Sequence, residues 1–149
     1  LDASGALGAL WLKSIGEEDA AAESLDFTVH SFAVEVDHLK GYRPYLDPVD
    51  SARDAQTPGL IFSEGSFAVG LAAHRLGRLD VAQECLQLGA QLACIAGPGI
   101  PYANQDLAPF TVRSAAASTL WFLFLERETR LGEPAPLFPL VPSSVGGAG

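Results

Sequence analysis

The chain has 149 residues, 18 acidic and 9 basic, for a formal net charge of −9 at pH 7. Its length is that of one domain, and a hydrophobic content of 48% with a mean hydropathy of +0.21 excludes an intrinsically disordered chain. Lysine occurs only at positions 13 and 40 and no basic cluster exists, which excludes the electrostatic footprint of nucleic-acid or anionic-membrane binding.

Periodicity predicts five helices of two alternating kinds. The first, 3–15, is rich in Ala, Gly and Leu on every side, with Lys13 as its only charge, and a helix apolar all round belongs in an interior. Gly16 ends it. Glu17, Glu18 and Asp19 then load the first turn of a second helix with the negative charge its dipole prefers. In that helix Asp19, Glu23, Asp26 and His30 recur opposite Ala22, Leu25, Val29 and Phe32 or Ala33, the pattern of a surface helix.

The alternation repeats. Ser63 is placed to cap an apolar helix over 64–76 that holds Phe67, Val69 and Leu71. Gly77 ends it, and 79–94 carries Asp80, Gln83, Glu84, Gln87 and Gln91 on one stripe, an exterior helix again. A third interior helix is expected over 112–126, through Ala115-Ala116-Ala117 and Leu120-Trp121-Phe122-Leu123-Phe124-Leu125. None of the ten prolines falls inside these segments.

The turns from interior to exterior helices are tight, at Gly16 and Gly77, whereas the return connections, 35–62 and 95–111, are long. Connections of such length commonly carry function. Antiparallel hairpins bring both long connections and the N-termini of the interior helices to one end, which becomes the candidate site. Residues 134–149, with Pro134, Pro136, Pro139 and Pro142 before a Gly-rich end, predict a strap and then disorder. The expected division is thus a helical-hairpin domain over 1–133 and a strap and tail over 134–149.

Cys85 and Cys94, nine residues apart on one expected helix, are separated by roughly 13 Å at helical rise and face opposite ways. They cannot form a disulfide there and read as two small core residues. No apolar run reaches the ~18 residues of a membrane span and no secretory signal pattern is present, so membrane insertion is not expected and the compartment stays open. With no Met and a start in the middle of an apolar pattern, the sequence reads as a processed product or an interior piece of a larger protein.

Particular residues sharpen the hairpin pattern: Gly41-Tyr42-Arg43-Pro44-Tyr45, the run from Leu60 through Ser63-Glu64-Gly65-Ser66 to Ala72, Ile100-Pro101-Tyr102-Ala103, and the run from Ser114 to Trp121. In order and spacing these resemble the C-terminal hairpins of bacterial proteins in the six-hairpin glycosidase superfamily, over about residues 3–138. The resemblance implies an all-α fold of antiparallel helical hairpins, a partial (α/α) toroid with alternating inner and outer helices, whose loop face handles carbohydrate. A full toroid of that family has six inner helices and this chain supplies three. The remaining half, from the same parent chain or another subunit, is therefore an expected partner.

Glu64, at the first turn of an interior helix, is the first candidate catalytic carboxylate, with Asp54 or Asp106 as its partner across the scissile bond. Glycoside hydrolysis requires such a pair at about 5–5.5 Å for retention or roughly 6.5–9.5 Å for inversion. A carboxylate at a helix N-terminus is favoured in its charged form, which suits a base or a hydroxyl acceptor better than an acid. Glu64 reads equally as a group that satisfies free N–H donors or ties the loop down. Tyr42, Tyr45, Phe62, Tyr102 and Trp121 offer faces for stacking on sugar rings, and Asn104 adds a polar tip. Each is also readable as a packing or turn residue.

His38 beside Asp37 has an acid–base opportunity, and His30 and His74 read as structural. There is no nucleophile elbow, no Gly-rich phosphate loop and no metal-ligand spacing, so neither cofactor nor metal is expected. The expected function is hydrolysis of a polysaccharide or oligosaccharide by paired carboxylates at the loop face. The alternatives are a non-catalytic helical scaffold or glycan-binding assembly subunit, and a polysaccharide lyase that uses Tyr102 and a histidine. The tight turns at Gly16 and Gly77 are too far apart for the ~34-residue period of a tetratricopeptide array.

Overall fold

The computed structural model describes residues 5–46 and 59–139. They are mostly helical: α1 (Leu7–Ser14), α2 (Glu18–Phe32), α3 (Ser63–Arg75), α4 (Leu79–Ala96) and α5 (Ala116–Leu131), with one hairpin of β1 (Ala33–Val36) and β2 (Leu39–Tyr42) between α2 and α3.

Both tight turns use the same device. After α1, Gly16 takes φ +88°, its N–H donates to the Lys13 carbonyl at 3.2 Å, and the Glu17 N–H donates to Leu12 at 3.0 Å. After α3, Gly77 takes φ +75°, its N–H donates to His74 at 3.1 Å, and Arg78 N–H donates to Ala73 at 2.8 Å. This paired bonding around a left-handed glycine satisfies the last carbonyls of a helix and reverses the chain. The result is two antiparallel hairpins, α1/α2 and α3/α4.

Helix α3 lies between α1 and α5 and packs against both, and α2, α4 and β2 also touch it. Residues 65–73 are buried without interruption. Gly70 explains how close its neighbours come, because a Cβ there would lie 2.6 Å from the Cys85 Cβ on α4 and 2.7 Å from a Leu125 methyl on α5. At the far end Arg75, the last residue of α3, bonds Glu128 near the end of α5, so these two helices run the same way.

Four expectations need correction. The connection over 35–62 is not all loop, and the chain is therefore not purely α: β1 and β2 pair antiparallel from Ala33↔Tyr42 to Val36↔Leu39. Asp37 and His38 form the two-residue turn with φ of 46° and 64°. Such mirror-image turns favour Asn-Gly or Asp-Gly, so Asp-His gives little signal in a sequence. Second, α5 starts at Ala116 rather than Val112, because Ser114 is bridged to Pro101 and Ala115 N–H is taken by the Ile100 carbonyl at 2.8 Å. It runs on to Leu131, where Gly132 turns left-handed.

Third, only α3 is enclosed among the three apolar helices. Trp11 of α1 and Ile15 just past its end are 52% and 47% exposed, and Leu120, Leu123 and Leu131 of α5 are 51%, 49% and 68% exposed. Fourth, Cys85 is buried but Cys94 is exposed, so only one of the two thiols is a core residue. Among the described residues no helix is long and apolar enough to cross a membrane.

Candidate functional site

The N-terminus of α3 is where both long connections converge. Phe62 N–H donates to the Tyr42 carbonyl at 2.9 Å, at the end of β2, and Ser63 N–H donates to the Tyr102 carbonyl at 3.2 Å. Ser63 is thus not the cap. Phe62 occupies that position without a side-chain cap bond, while the Ser66 hydroxyl donates to the Phe62 carbonyl at 2.8 Å and accepts from Tyr42 N–H at 3.0 Å. One hydroxyl therefore ties the hairpin to the first turn of α3. Glu64 sits half-buried in this turn, at the lip of the convergence.

Beside it is a small aromatic core built from both connections. Leu60, Phe62, Ala103 and Phe110 are buried together, with Tyr102 and Leu107 packed against them. Phe62 meets Tyr102 edge-on at 5.2 Å and Phe110 at 5.8 Å, Tyr102 stacks on Phe110 at 5.5 Å, and Tyr45 meets Phe110 edge-on at 6.1 Å. These geometries are the favourable ones for aromatic quadrupoles. Tyr45 is 57% exposed and Tyr102 is half-buried, so these two rings carry the cluster to the surface. Phe110, the ring that joins the other three, lies in the second connection without any local pattern that marks it.

Tyr42 stands apart. Its ring is buried and lines a cavity of about 360 Å³ between the hairpin and α4, with Lys40, Glu84 and Cys85. Burial, and then the neighbouring Cys85 and Glu84, push its phenol well above the ordinary tyrosine range. Burial likewise pushes the Cys85 thiol up to about 12.

The Asn104 amide is engaged on both sides. Its Oδ1 accepts from Ile61 N–H at 2.8 Å and its Nδ2 donates to the Gly59 carbonyl at 2.9 Å, so it clamps the segment that leads into α3. Asp106 is exposed, and its Oδ1 accepts from Val112 N–H and from the Thr111 hydroxyl, both at 3.0 Å. The Val112 N–H, with help from Thr111 and the Arg113 charge, holds this carboxyl below the usual carboxylate range. It is a stable anion, suited to accept hydrogen bonds and ill suited to take up or donate a proton. Asp54 lies outside the described residues.

Trp121 is half-buried on α5, edge-on to Phe124 at 6.2 Å and remote in sequence from this convergence. Asp37 and His38 are exposed at the hairpin turn and line a depression of about 480 Å³ with Cys94, Ile95, Asn104 and Gln105. Among the described residues no group of three or more His, Cys, Asp or Glu side chains is arranged to hold a metal ion. Comparison with protein-family models, with curated proteins and with solved structures returned no match.

Proposed function

We propose that this chain is half of an (α/α) toroid that binds an oligosaccharide or polysaccharide across its loop face and hydrolyses it. The observation that carries the reading is the convergence at the start of α3. Glu64 lies in the first turn of the enclosed helix, at the end where Tyr45 and Tyr102 bring an aromatic cluster to the surface. The order of α1, α3 and α5, with α2 and α4 returning between them, supports inner and outer helices in alternation.

In this reading Tyr45 and Tyr102 carry a sugar ring, Glu64 faces the glycosidic bond, and Asp106 is the charge-stabilising member of the carboxyl pair. Asp54 is the other candidate partner. Glu64, in the first turn of a helix, suits the base or hydroxyl acceptor, and Asp106, with its lowered pKa, suits the nucleophile or charge-stabilising role.

The test is release of reducing ends from a panel of neutral and acidic glucans, alongside calorimetric binding of their oligosaccharides. Glu64→Gln is expected to lower turnover by roughly 100-fold or more while binding persists. Tyr45→Ala is expected to weaken binding up to about tenfold. Unchanged turnover in a folded Glu64→Gln protein would remove the catalytic assignment.

The second reading is a glycan-binding scaffold without catalysis. It is favoured by the double tethering of Asn104 and by the hydrogen bonds that occupy Asp106, both of which serve the loop itself. Binding by the wild-type protein with no turnover on any polymer selects it.

A further inference from the structure

We propose that the exposed edges of α1 and α5 are the two halves of one contact, and that a second copy of this chain occupies them to close a ring of six parallel inner helices. The inference rests on the toroid reading above. Helix α5 packs against α3 and α4, and α1 packs against α2 and α3, so each presents an uncovered face away from α3. On α5 that face is Leu120, Leu123, Arg127 and Leu131, a stripe at helical spacing whose leucines are about half or more exposed. At α1 it is Trp11 and, one turn on at the C-cap of the helix, Ile15. Scattered apolar residues on a surface need no explanation, but here large ones lie on the two helices that flank α3 in its layer.

The polar residues say what fits there. Arg127 and Arg130 project from the C-terminal half of α5, each with a side chain 60% exposed, on a chain whose formal charge is −9. Their partners within the chain, Glu133 and Glu126, are exposed or partly exposed, so these pairs re-form with other carboxylates at little cost. The complementary group lies at the other edge. Glu17, Glu18 and Asp19 are exposed immediately after the C-terminal end of α1, and Glu18, whose own partner is Lys13, is largely exposed like the partners of the arginines.

The levels match as well. Helices α3 and α5 run the same way because Arg75 reaches Glu128, and α1 and α3 both end in the tight glycine turns that begin their return helices. A half-turn about an axis parallel to these helices lays α5 of one copy beside α1 of the next, parallel and with both C-terminal ends together. Leu123 and Leu131 then face Trp11 and Ile15, and Arg127 and Arg130 face Glu17, Glu18 and Asp19. The same operation creates the contact twice and leaves no edge open, the closure that a two-fold assembly requires.

Sedimentation of the 1–149 chain over a range of concentrations tests this, with circular dichroism as the check on folding. A dimer is expected. The charge reversal Arg127→Glu/Arg130→Glu and, separately, Glu17→Lys/Glu18→Lys/Asp19→Lys should each weaken it roughly tenfold or more. Mixing the two reversed proteins should restore association as a heterodimer, because both of its contacts then pair opposite charges, and combining both sets in one chain should restore the homodimer. A folded monomer at all concentrations overturns the proposal, as does a dimer that neither reversal disturbs. Glycan binding measured on the same proteins keeps the two readings apart, because a monomer that still binds sugar through Tyr45 loses the second copy and keeps the site.

Discussion

Arg75 and Glu128 form a bidentate pair at the end of the helices opposite the loop face, with Nε 2.7 Å from Oε1 and Nη2 3.0 Å from Oε2. Both side chains are nearly enclosed, and the remaining guanidinium donors reach the carbonyls of Leu137 at 3.1 Å and Phe138 at 2.8 Å. Ala135 N–H donates to Glu128 Oε2 at 3.0 Å. One ion pair thus joins α3 to α5 and ties residues 135–138 across both.

Removal of one partner leaves a buried charge without its counter-ion, which costs about 3–5 kcal/mol. Glu128→Ala is therefore expected to lower the melting temperature by about 10 °C in a chain of this size. Arg75→Met/Glu128→Leu, which removes both charges and keeps the volume, is expected to recover a large part of that loss. Calorimetry on the three proteins checks the order.

The same pair predicts an acid response. Burial pulls the Glu128 pKa up, but the Arg75 hydrogen bonds, the Ala135 N–H and the Arg75 charge together outweigh it, and the folded-state value lies below the ordinary 4.5. A depressed folded-state pKa contributes stability above the unfolded value and loses it as pH falls through the folded one. Asp106, also depressed, acts in the same direction. Urea midpoints measured from roughly pH 6 down to pH 3 should fall more steeply for the wild type than for Glu128→Gln.

Gly70→Ala is expected to destabilise by about 1–3 kcal/mol, although alanine is the better helix former by about 1 kcal/mol. The added methyl would meet the Cys85 Cβ at 2.6 Å and Leu125 at 2.7 Å, and a Cβ cannot yield unless α4 itself moves. A chemical-denaturation midpoint above that of the wild type would contradict the close approach of the three helices.

Asn104→Ala leaves the Ile61 N–H and the Gly59 carbonyl without the amide that clamps them. A loss of about 1–3 kcal/mol is expected, with faster hydrogen exchange concentrated at residues 59–62. Exchange spread evenly over the helices would show that the clamp is not local.

Thiol chemistry separates the two cysteines. In the native protein a small aromatic disulfide should titrate one thiol, Cys94, with the second, Cys85, appearing only on unfolding, since Cys85 is buried and its thiol is pushed up to about 12. Cys94→Ser is expected to abolish the native reaction.

Much of the backbone order is readable from local pattern. Gly16 and Gly77 mark the tight reversals because few other residues take a positive φ at a helix end, and the runs of 65–73 and 79–92 carry their burial in their periodicity. The hairpin of β1 and β2 was hidden because its turn residues are atypical and its strands are short. The partners of the candidate site were hidden for another reason. Phe110 joins Tyr45, Phe62 and Tyr102, and Asn104 clamps Ile61, across separations that no local pattern records.

By itself the sequence determined a mostly helical chain of paired apolar and amphipathic segments, the end at which its long connections meet, and the presence there of Glu64 and its aromatic neighbours. Those properties follow from periodicity, glycine conformation and helix polarity, which act over a few residues. The tertiary structure alone decided that α3 is the one enclosed helix, that Tyr42 turns to α4 while Tyr45 and Tyr102 reach the surface, that Asp106 is held as an anion, and that Arg75 meets Glu128. Each of these depends on which segments pack side by side, and packing and desolvation are properties of the neighbours that a side chain acquires only in the folded chain.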